Sequence, residues 1–185
     1  MWVVKIGGSL ASSPELPSWL AAVTTPGKVR IVVAPGGGPF ADIVRRAQAQ
    51  AGFDDAAAHR MAILATEQFG LMLCGMAPGL VPASSAAAIA AAHERDQVPV
   101  WMADAMTRED SAPAASWDVT SDSLAAWLAA RIGAKELVLA KSAEPPENAA
   151  ALSTADLAQG SCCVDAHGTG AVGSPYGSEW ICKTF

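Results

Sequence analysis

The sequence WVVKIGGS at residues 2–9 decides the fold class of this 185-residue chain, and VRIVVAPGGG at residues 29–38 repeats its pattern. Each stretch is a run of β-branched and apolar residues, typical of a buried strand, that breaks into consecutive glycines. A helical pattern follows each of them, so both glycine turns lie where a strand passes into a helix. Because glycine lets backbone N–H groups approach a bulky anion, the two turns predict a phosphate-binding site at one edge of a sheet.

Strand-like and helix-like patterns alternate along the rest of the chain. The expected strands are 2–6, 29–34, 79–83, 98–102 and 137–140, with short candidates at 162–165 and 179–183. The expected helices are 14–24, 39–51, 54–75, 84–95 and 122–132, and residues 103–117 are expected to form a loop. This alternation predicts an α/β fold, a three-layer α/β/α sandwich with a mostly parallel sheet, in which ligands bind beyond the carboxyl ends of the strands.

Helical spacing also predicts which residues of two helices face the core. The predicted inner faces are Phe40, Ile43, Val44 and Ala47 in the second helix and Met61, Leu64, Ala65 and Gln68 in the third.

Length, composition and charge restrict the class of protein. A chain of 185 residues, 51% hydrophobic and 16% charged, is expected to form a single domain over residues 1–185 without long disorder. A net charge of −6 without a cluster of Lys and Arg argues against nucleic acid or an acidic membrane surface as partner. The absence of a long apolar run and of a signal-like N-terminus predicts a cytoplasmic protein with no membrane association. The cysteines Cys74, Cys162, Cys163 and Cys182 show no C-x-x-C spacing, so we interpret them as reduced packing residues.

A third informative segment is WDVTSDS at residues 117–123. Thr120 or Ser121 is expected to cap the following helix, with Asp122 favourable in its first turn. The segment carries more oxygen atoms than a cap requires. A carboxylate close to two phosphate loops could instead orient a lysine or hold a magnesium ion.

Four motifs together resemble the amino acid kinase family, which includes aspartate, glutamate, acetylglutamate, uridylate and isopentenyl phosphate kinases. They are KIGGSL at 5–10, VVAPGGGPFAD at 32–42, VTSDSLAAWLA at 119–129 and LVLAKS at 137–142. Within that family the chain is most similar to the 5-(aminomethyl)-3-furanmethanol phosphate kinase branch of methanofuran biosynthesis. That closer resemblance rests on DAAAHRMAIL at 55–64, SWDVTSDSLAAWLA at 116–129 and the Lys141-Ser142 pair.

The resemblance implies an enzyme, a kinase that uses ATP and Mg²⁺ to phosphorylate a small phosphomonoester to its diphosphate. It places Lys5 on the transferred phosphoryl group and implies that Asp122 orients Lys5 or binds magnesium through water, with no direct protein ligand to the metal. On the ATP side it implies Lys5, Gly7, Gly8, Ser9, Lys141 and Ser142.

On the acceptor side the resemblance implies the turn Gly36, Gly37 and Gly38. Four further residues are candidates for the acceptor, each with a structural alternative. Arg45 could bind a phosphate or lie on a solvated helix face, and His59 could contact the acceptor or make a structural hydrogen bond. Asp118 could bind a substrate ammonium or order a loop, and Thr120 could contact the acceptor or cap its helix.

The chain departs from the family pattern after Lys141, where Lys-Ser-Ala-Glu replaces an aspartate-rich turn and the remaining length is shorter than in most members. A shortened nucleotide side leads us to expect a homo-oligomer. It also leaves two alternatives open: a non-catalytic nucleotide- or oxyanion-binding or storage protein of the same fold, and a kinase for another small monophosphate.

Overall fold

The computed structural model describes residues 1–25, 27, 29–109, 117 and 119–141, together with the backbone of two strands at 172–173 and 180–184. Its strands are β1 (Trp2–Ile6), β2 (Ile31–Pro35), β3 (Leu80–Ala83), β4 (Val98–Trp101), β5 (Glu136–Lys141), β6 (Val172–Gly173) and β7 (Trp180–Thr184). Its helices are α1 (Leu16–Thr24), α2 (Gly38–Ala51), α3 (Asp55–Met76), α4 (Ala86–Glu94), α5 (Ala103–Glu109) and α6 (Ser121–Arg131). A short 3₁₀ helix spans Gly8–Ser12.

The strands of the described part form one sheet in the order β3-β4-β2-β1-β5-β7-β6. The first five in that order pair in parallel, and β7 runs antiparallel to both β5 and β6. Strand β1 is central, with Lys5 in register with Ala34 of β2 and Leu139 of β5. The carboxyl ends of β1, β2 and β5 therefore meet at one edge of the sheet.

Alternate residues of each strand face opposite sides of the sheet, and each side has its own core. One core packs Val3 and Val32 against α4, α5 and α6, with Leu128 as a fully buried member. The other packs Val4 and Val33 against α1 and the second half of α3. Helices thus cover both faces of a mostly parallel sheet, which confirms the predicted α/β/α sandwich.

Helix ends follow the local sequence signals. The side chains of Asp54, Ser85 and Thr120 accept hydrogen bonds from backbone N–H groups in the first turns of α3, α4 and α6. The ten principal strands and helices expected in the first 141 residues are all present, with ends that differ by at most about two residues, as is common for helix and strand boundaries. The strand expected at 179–183 corresponds to β7, whereas the candidate at 162–165 lies outside the described residues.

The predicted loop at 103–117 is wrong over its first seven residues, which form α5. Tertiary contacts with α3 favour this helix. The Asp104 carboxylate pairs with Arg60 of α3 and with Arg108, and the Asp104 N–H donates to Glu67 of α3 at 2.8 Å.

The predicted core faces of two helices are also partly wrong. Met61 and Leu64 are each 39% exposed and Gln68 is exposed, so only Ala65 of the predicted α3 face is buried. In α2, Ile43 is 54% exposed. Helix α3 carries apolar residues around most of its circumference, and periodicity alone does not select the face that meets the sheet.

In the described part of the chain, no helix combines the length and apolar character needed to cross a membrane.

Candidate active site

Two lysines and one aspartate meet at the carboxyl edge of the sheet. Lys5 lies near the end of β1, Lys141 ends the neighbouring strand β5, and Asp122 lies in the first turn of α6. The Lys5 ammonium is 2.8 Å from Asp122 Oδ1, and the Lys141 ammonium is 2.5 Å from Asp122 Oδ2. One carboxylate therefore bridges two ammonium groups from adjacent strands, which is an arrangement with one excess positive charge.

Burial makes this cluster electrostatically strong. The side chains of Lys5 and Asp122 are only 5% and 7% exposed, while that of Lys141 is 22% exposed. Burial by itself raises the pKa of Asp122, but attraction to Lys5, then to Lys141, and the hydrogen bonds from both outweigh it. The pKa of Asp122 therefore lies below its ordinary value, and the carboxylate stays ionised and holds both lysines.

The two glycine turns pack directly against each other beside this cluster. A Cβ atom at Gly8 would lie 2.3 Å from the Gly38 nitrogen, and one at Gly36 would lie 2.6 Å from the Gly8 nitrogen. These distances are too short for any real Cβ contact, so backbone packing by itself requires glycine at both positions. The approach of an anion is the reason for glycine that the sequence predicted, and close backbone packing is a second reason.

Some backbone N–H groups of the two turns are already hydrogen-bonded, and others remain available to a ligand. Gly7 N–H donates to Ala140 O and Gly36 N–H to Ile6 O, each at 2.8 Å, which extends the sheet ladders by one residue. Among the described residues, the N–H groups of Gly8, Ser9, Gly37 and Gly38 bond to no backbone carbonyl. Available backbone donors beside an excess positive charge form a favourable environment for phosphate.

A cavity of about 130 Å³ opens next to the cluster, between α2, α3 and the start of α6. Its walls contain apolar side chains such as Ile63 and Leu124. Its polar lining residues are Arg45, His59, Thr66, Trp117, Thr120 and Ser121. Because Thr120 and Ser121 immediately precede Asp122, the cavity and the lysine cluster meet at the N-terminus of α6.

In one wall of the cavity, an arginine side chain lies over an aromatic ring. The guanidinium carbon of Arg45 lies 4.8 Å from the centre of the Trp117 ring, within the range of a cation–π contact. Arg45 also pairs with Asp42 at 2.8 Å, although both side chains are more than half exposed. The guanidinium thus has a preferred position at the mouth of the cavity while it stays in contact with water.

Comparison with known proteins identifies the fold family. The sequence model described as the amino acid kinase family matches residues 1–144. The chain belongs to the amino acid kinase family. This confirms the resemblance that the four sequence motifs indicated.

Two proteins illustrate what the chain is similar to. It is 25% identical over 142 residues to the [5-(aminomethyl)furan-3-yl]methyl phosphate kinase of Methanocaldococcus jannaschii. That match covers 76% of this chain, but the chain spans only 65% of the length of that curated relative. The crystal structure of uridylate kinase from Archaeoglobus fulgidus superimposes with a TM-score of 0.57 at 19% identity. It covers 80% of this chain and 68% of the uridylate kinase chain, and at that identity it supports the fold alone.

The structure of this amino acid kinase family member groups the expected site residues into two sets. Lys5, Asp122 and Lys141 form the charged cluster, with the turns at 7–9 and 36–38 beside it. Gly37, Arg45, His59 and Thr120 line the cavity, and Thr120 is also the N-cap of α6 with its hydroxyl 3.3 Å from Ser123 N–H. Thr120 is therefore the expected cap and also lines the cavity, while its contact with an acceptor stays a prediction. Asp118 and Ser142 lie outside the described residues.

Gln48 contacts a wall of the cavity and was not predicted from the sequence. Its side chain contacts Trp117, 69 positions further along the chain, and residues at the start of α3. A glutamine in the polar part of an amphipathic helix carries no motif, so no signal in the sequence distinguishes it from its neighbours.

The carboxylate of Asp122 suits a role in orienting lysines better than direct ligation of a metal. Both of its oxygens are engaged by ammonium groups, and a bound cation would have to displace one of them. In the residues that the structure describes, no group of three or more His, Cys, Asp or Glu side chains could hold a metal ion.

Proposed function

We propose that this chain is a kinase that transfers the γ-phosphoryl group of ATP to a small phosphomonoester. The observation that carries the proposal is the bridge from Lys5 through Asp122 to Lys141, which lies beside the glycine turns and directly follows the cavity residues Thr120 and Ser121. Phosphoryl transfer needs charge neutralisation and alignment more than covalent chemistry, and this arrangement supplies both. The bond from the γ-phosphorus to ADP breaks, and a bond from that phosphorus to an oxygen of the acceptor phosphate forms.

On the donor side, Lys5 is the catalytic group that stabilises charge on the transferred phosphoryl. Asp122 holds its ammonium in place through the 2.8 Å contact. Lys141, more exposed than Lys5, contacts the nucleotide phosphates together with the N–H groups of Gly8 and Ser9. Gly7 belongs to the same turn, but its N–H donates to Ala140 O and is not available to the nucleotide. Gly7 therefore contributes only to the shape of the turn.

On the acceptor side, the cavity binds the phosphomonoester. Gly37 and Gly38 donate N–H groups to its phosphate, and Gly36 supports them by its bond to Ile6. Arg45 adds charge, while His59 and Thr120 contact the body of the molecule. An acceptor phosphate is already anionic at neutral pH, so no side chain has to act as general base.

Magnesium enters with the phosphates of ATP in this proposal. It would neutralise charge on the donor. Asp122 would hold the ion indirectly, through water, because both of its oxygens lie at ion-pair distance from lysine ammonium groups.

The acceptor we propose is [5-(aminomethyl)furan-3-yl]methyl phosphate, and its product is the corresponding diphosphate of methanofuran-type cofactor biosynthesis. The curated relative that acts on this compound by name supports the assignment. A compact, partly apolar cavity of about 130 Å³ with an aromatic wall is consistent with a small ring compound.

The test is an assay of ADP release from ATP and Mg²⁺ with a panel of phosphomonoesters that includes the aminomethylfuran compound, uridine monophosphate and isopentenyl phosphate. ³¹P spectra identify a diphosphate product. We expect activity with the aminomethylfuran phosphate and a loss of about 10²-fold or more in kcat/KM for Lys5→Met, the size found when one preorganised charge donor is removed.

Lys135→Met is the matched control, because Lys135 is exposed and lies before β5, at the end of that strand remote from the cluster. We expect it to retain wild-type activity. If ATP neither reacts with any acceptor nor raises the melting temperature, the kinase assignment is wrong and the binding or storage alternative gains support. If the enzyme prefers another monophosphate, the proposed acceptor is wrong but the proposed phosphoryl transfer still holds.

A further inference from the structure

Gln48 in the last part of α2 connects three separate segments of the chain through one side-chain amide. Its Oε1 accepts a hydrogen bond of 2.6 Å from the indole N–H of Trp117. Its Nε2 donates to Asp55 Oδ1 at 2.8 Å and to Phe53 O at 3.3 Å. The amide therefore uses its acceptor and both of its donor hydrogens.

These partners determine the orientation of the amide. An indole N–H can only donate, whereas a carboxylate and a carbonyl oxygen can only accept. A flipped amide would place its NH₂ group against the indole N–H and its oxygen against the carboxylate. The hydrogen bonds thus hold Gln48 in one orientation, and Gln48 in turn fixes the positions of its partners.

The segments that Gln48 joins supply three polar lining residues of the cavity, Arg45, His59 and Trp117. Arg45 lies one turn earlier on α2 and stacks on the Trp117 ring that Gln48 holds. Asp55 begins α3, one turn before His59. Trp117 also packs against a small cluster of Ala41, Val44 and Ala65 between α2 and α3.

We propose that Gln48 is a positioning residue for acceptor binding, which it orders by fixing the Trp117 ring on which Arg45 rests. This inference rests on the proposed function, because the cavity is taken as the acceptor site. Gln48 acts through Trp117 and Arg45 and does not line the cavity. Its loss therefore weakens recognition of the acceptor and leaves the donor side intact.

The kinetic test compares Gln48→Met, which keeps length and helix propensity but removes all three hydrogen bonds, with the control Gln50→Met at an exposed position of the same helix. We expect Gln48→Met to raise KM for the acceptor phosphomonoester about tenfold, because the hydrogen bonds that order the binding side chains are lost. KM for ATP and kcat should each change by less than about twofold. Gln50→Met should match the wild type. Equal losses in both variants, or a fall in kcat with unchanged acceptor KM, would overturn the proposal.

A double-mutant cycle with Trp117→Phe shows whether the effect passes through the indole. Phenylalanine lacks the indole N–H group that donates a hydrogen bond to Gln48. In the Trp117→Phe variant, Gln48→Met should therefore have little further effect on acceptor KM. An undiminished effect would mean that Gln48 acts by another route, and the proposal would fail.

A measurement without turnover separates this inference from the proposed function. The indole ¹⁵N–H resonance of Trp117, assigned by its absence in Trp117→Phe, should exchange slowly with solvent in the wild type and faster in Gln48→Met. Titration with inorganic phosphate should shift this resonance, and the Kd for phosphate should rise in Gln48→Met but not in Gln50→Met.

If the wild type proves inactive with every acceptor, the proposed function fails while these results still support Gln48 as the residue that orders an anion-binding cavity. Unchanged indole exchange or unchanged phosphate affinity would overturn it.

Discussion

Asp122 neutralises one of two lysines that neighbouring parallel strands bring together, and without it their ammonium groups would face each other at the edge of the sheet. Lys5 is almost fully buried, and an ammonium at that depth is stable only with a close counter-charge. The same carboxylate sets the direction of Lys5, so folding and charge placement in the site depend on one side chain. A site residue of this kind is expected to contribute to stability as well as to activity.

Asp122→Asn should lower the free energy of unfolding by about 3 kcal/mol, the lower end of the cost of breaking a buried ion pair. Urea denaturation followed by circular dichroism measures this change. Asp42→Asn is the control, because it removes an exposed pair with Arg45 and should cost at most about 1 kcal/mol. Similar losses in the two variants would show that the buried cluster adds no more stability than a surface pair.

At the scale of elements, the two strand–turn–helix units contact each other through their glycine turns. The Gly8 backbone lies against Gly37 and Gly38, and Gly36 lies against Gly7 and Gly8. This contact brings the end of β1 and the start of α2 together, so the available N–H groups of both turns occupy one place. The relative position of the two glycine turns is therefore set by their own packing before any ligand binds.

Gly8→Ala should destabilise the protein by about 1 to 3 kcal/mol, because its Cβ would lie 2.3 Å from the Gly38 nitrogen and the backbone has to move. Gly75→Ala is the matched control, and it should change the stability in the opposite direction. Gly75 lies in α3 with nothing within 4 Å of an added Cβ, and alanine there should stabilise the helix by about 0.5 to 1 kcal/mol. Thermal and urea unfolding measure both. A neutral Gly8→Ala variant would mean that the turns can separate freely.

At the scale of the whole molecule, the lowered pKa of Asp122 makes global stability depend on pH. The unfolded chain has an ordinary aspartate pKa near 3.9, so at pH values between the folded and unfolded pKa the unfolded state binds more protons. The contribution of Asp122 is therefore complete above the unfolded pKa and is lost as pH falls through the folded pKa. Acid should destabilise the protein partly by protonating this one buried carboxylate.

The free energy of unfolding of the wild type should fall more steeply than that of Asp122→Asn as the pH falls below about 5 and through the folded pKa of Asp122. Urea denaturation at several pH values measures both curves, and the two should approach each other at the acidic end. Parallel curves for wild type and Asp122→Asn would show that this carboxylate does not have a lowered pKa in the folded state.

Local patterns in the sequence determined much of the fold and the chemical character of the site. Strands β1 and β2 are short runs of β-branched residues that end at glycines, and such signals depend only on neighbouring residues. Lys5 at a strand end and Asp122 in the first turn of a capped helix could be predicted for the same reason. Parallel topology then implied that the strand ends meet, which located the glycine turns and Lys141 at one edge.

Which of these groups touch depends on tertiary packing. The core face of α3, the formation of α5 through Asp104 and the bond from Gln48 to Trp117 depend on contacts between distant parts of the chain, which periodicity does not contain. The local sequence indicated that two strands end in glycine turns, that lysines lie at strand ends and that a carboxylate lies in the first turn of a helix. Packing decided that the turns lie against each other and that one carboxylate bridges both lysines at 2.8 and 2.5 Å, because contacts between residues far apart in the chain arise only from the assembled sheet and helices.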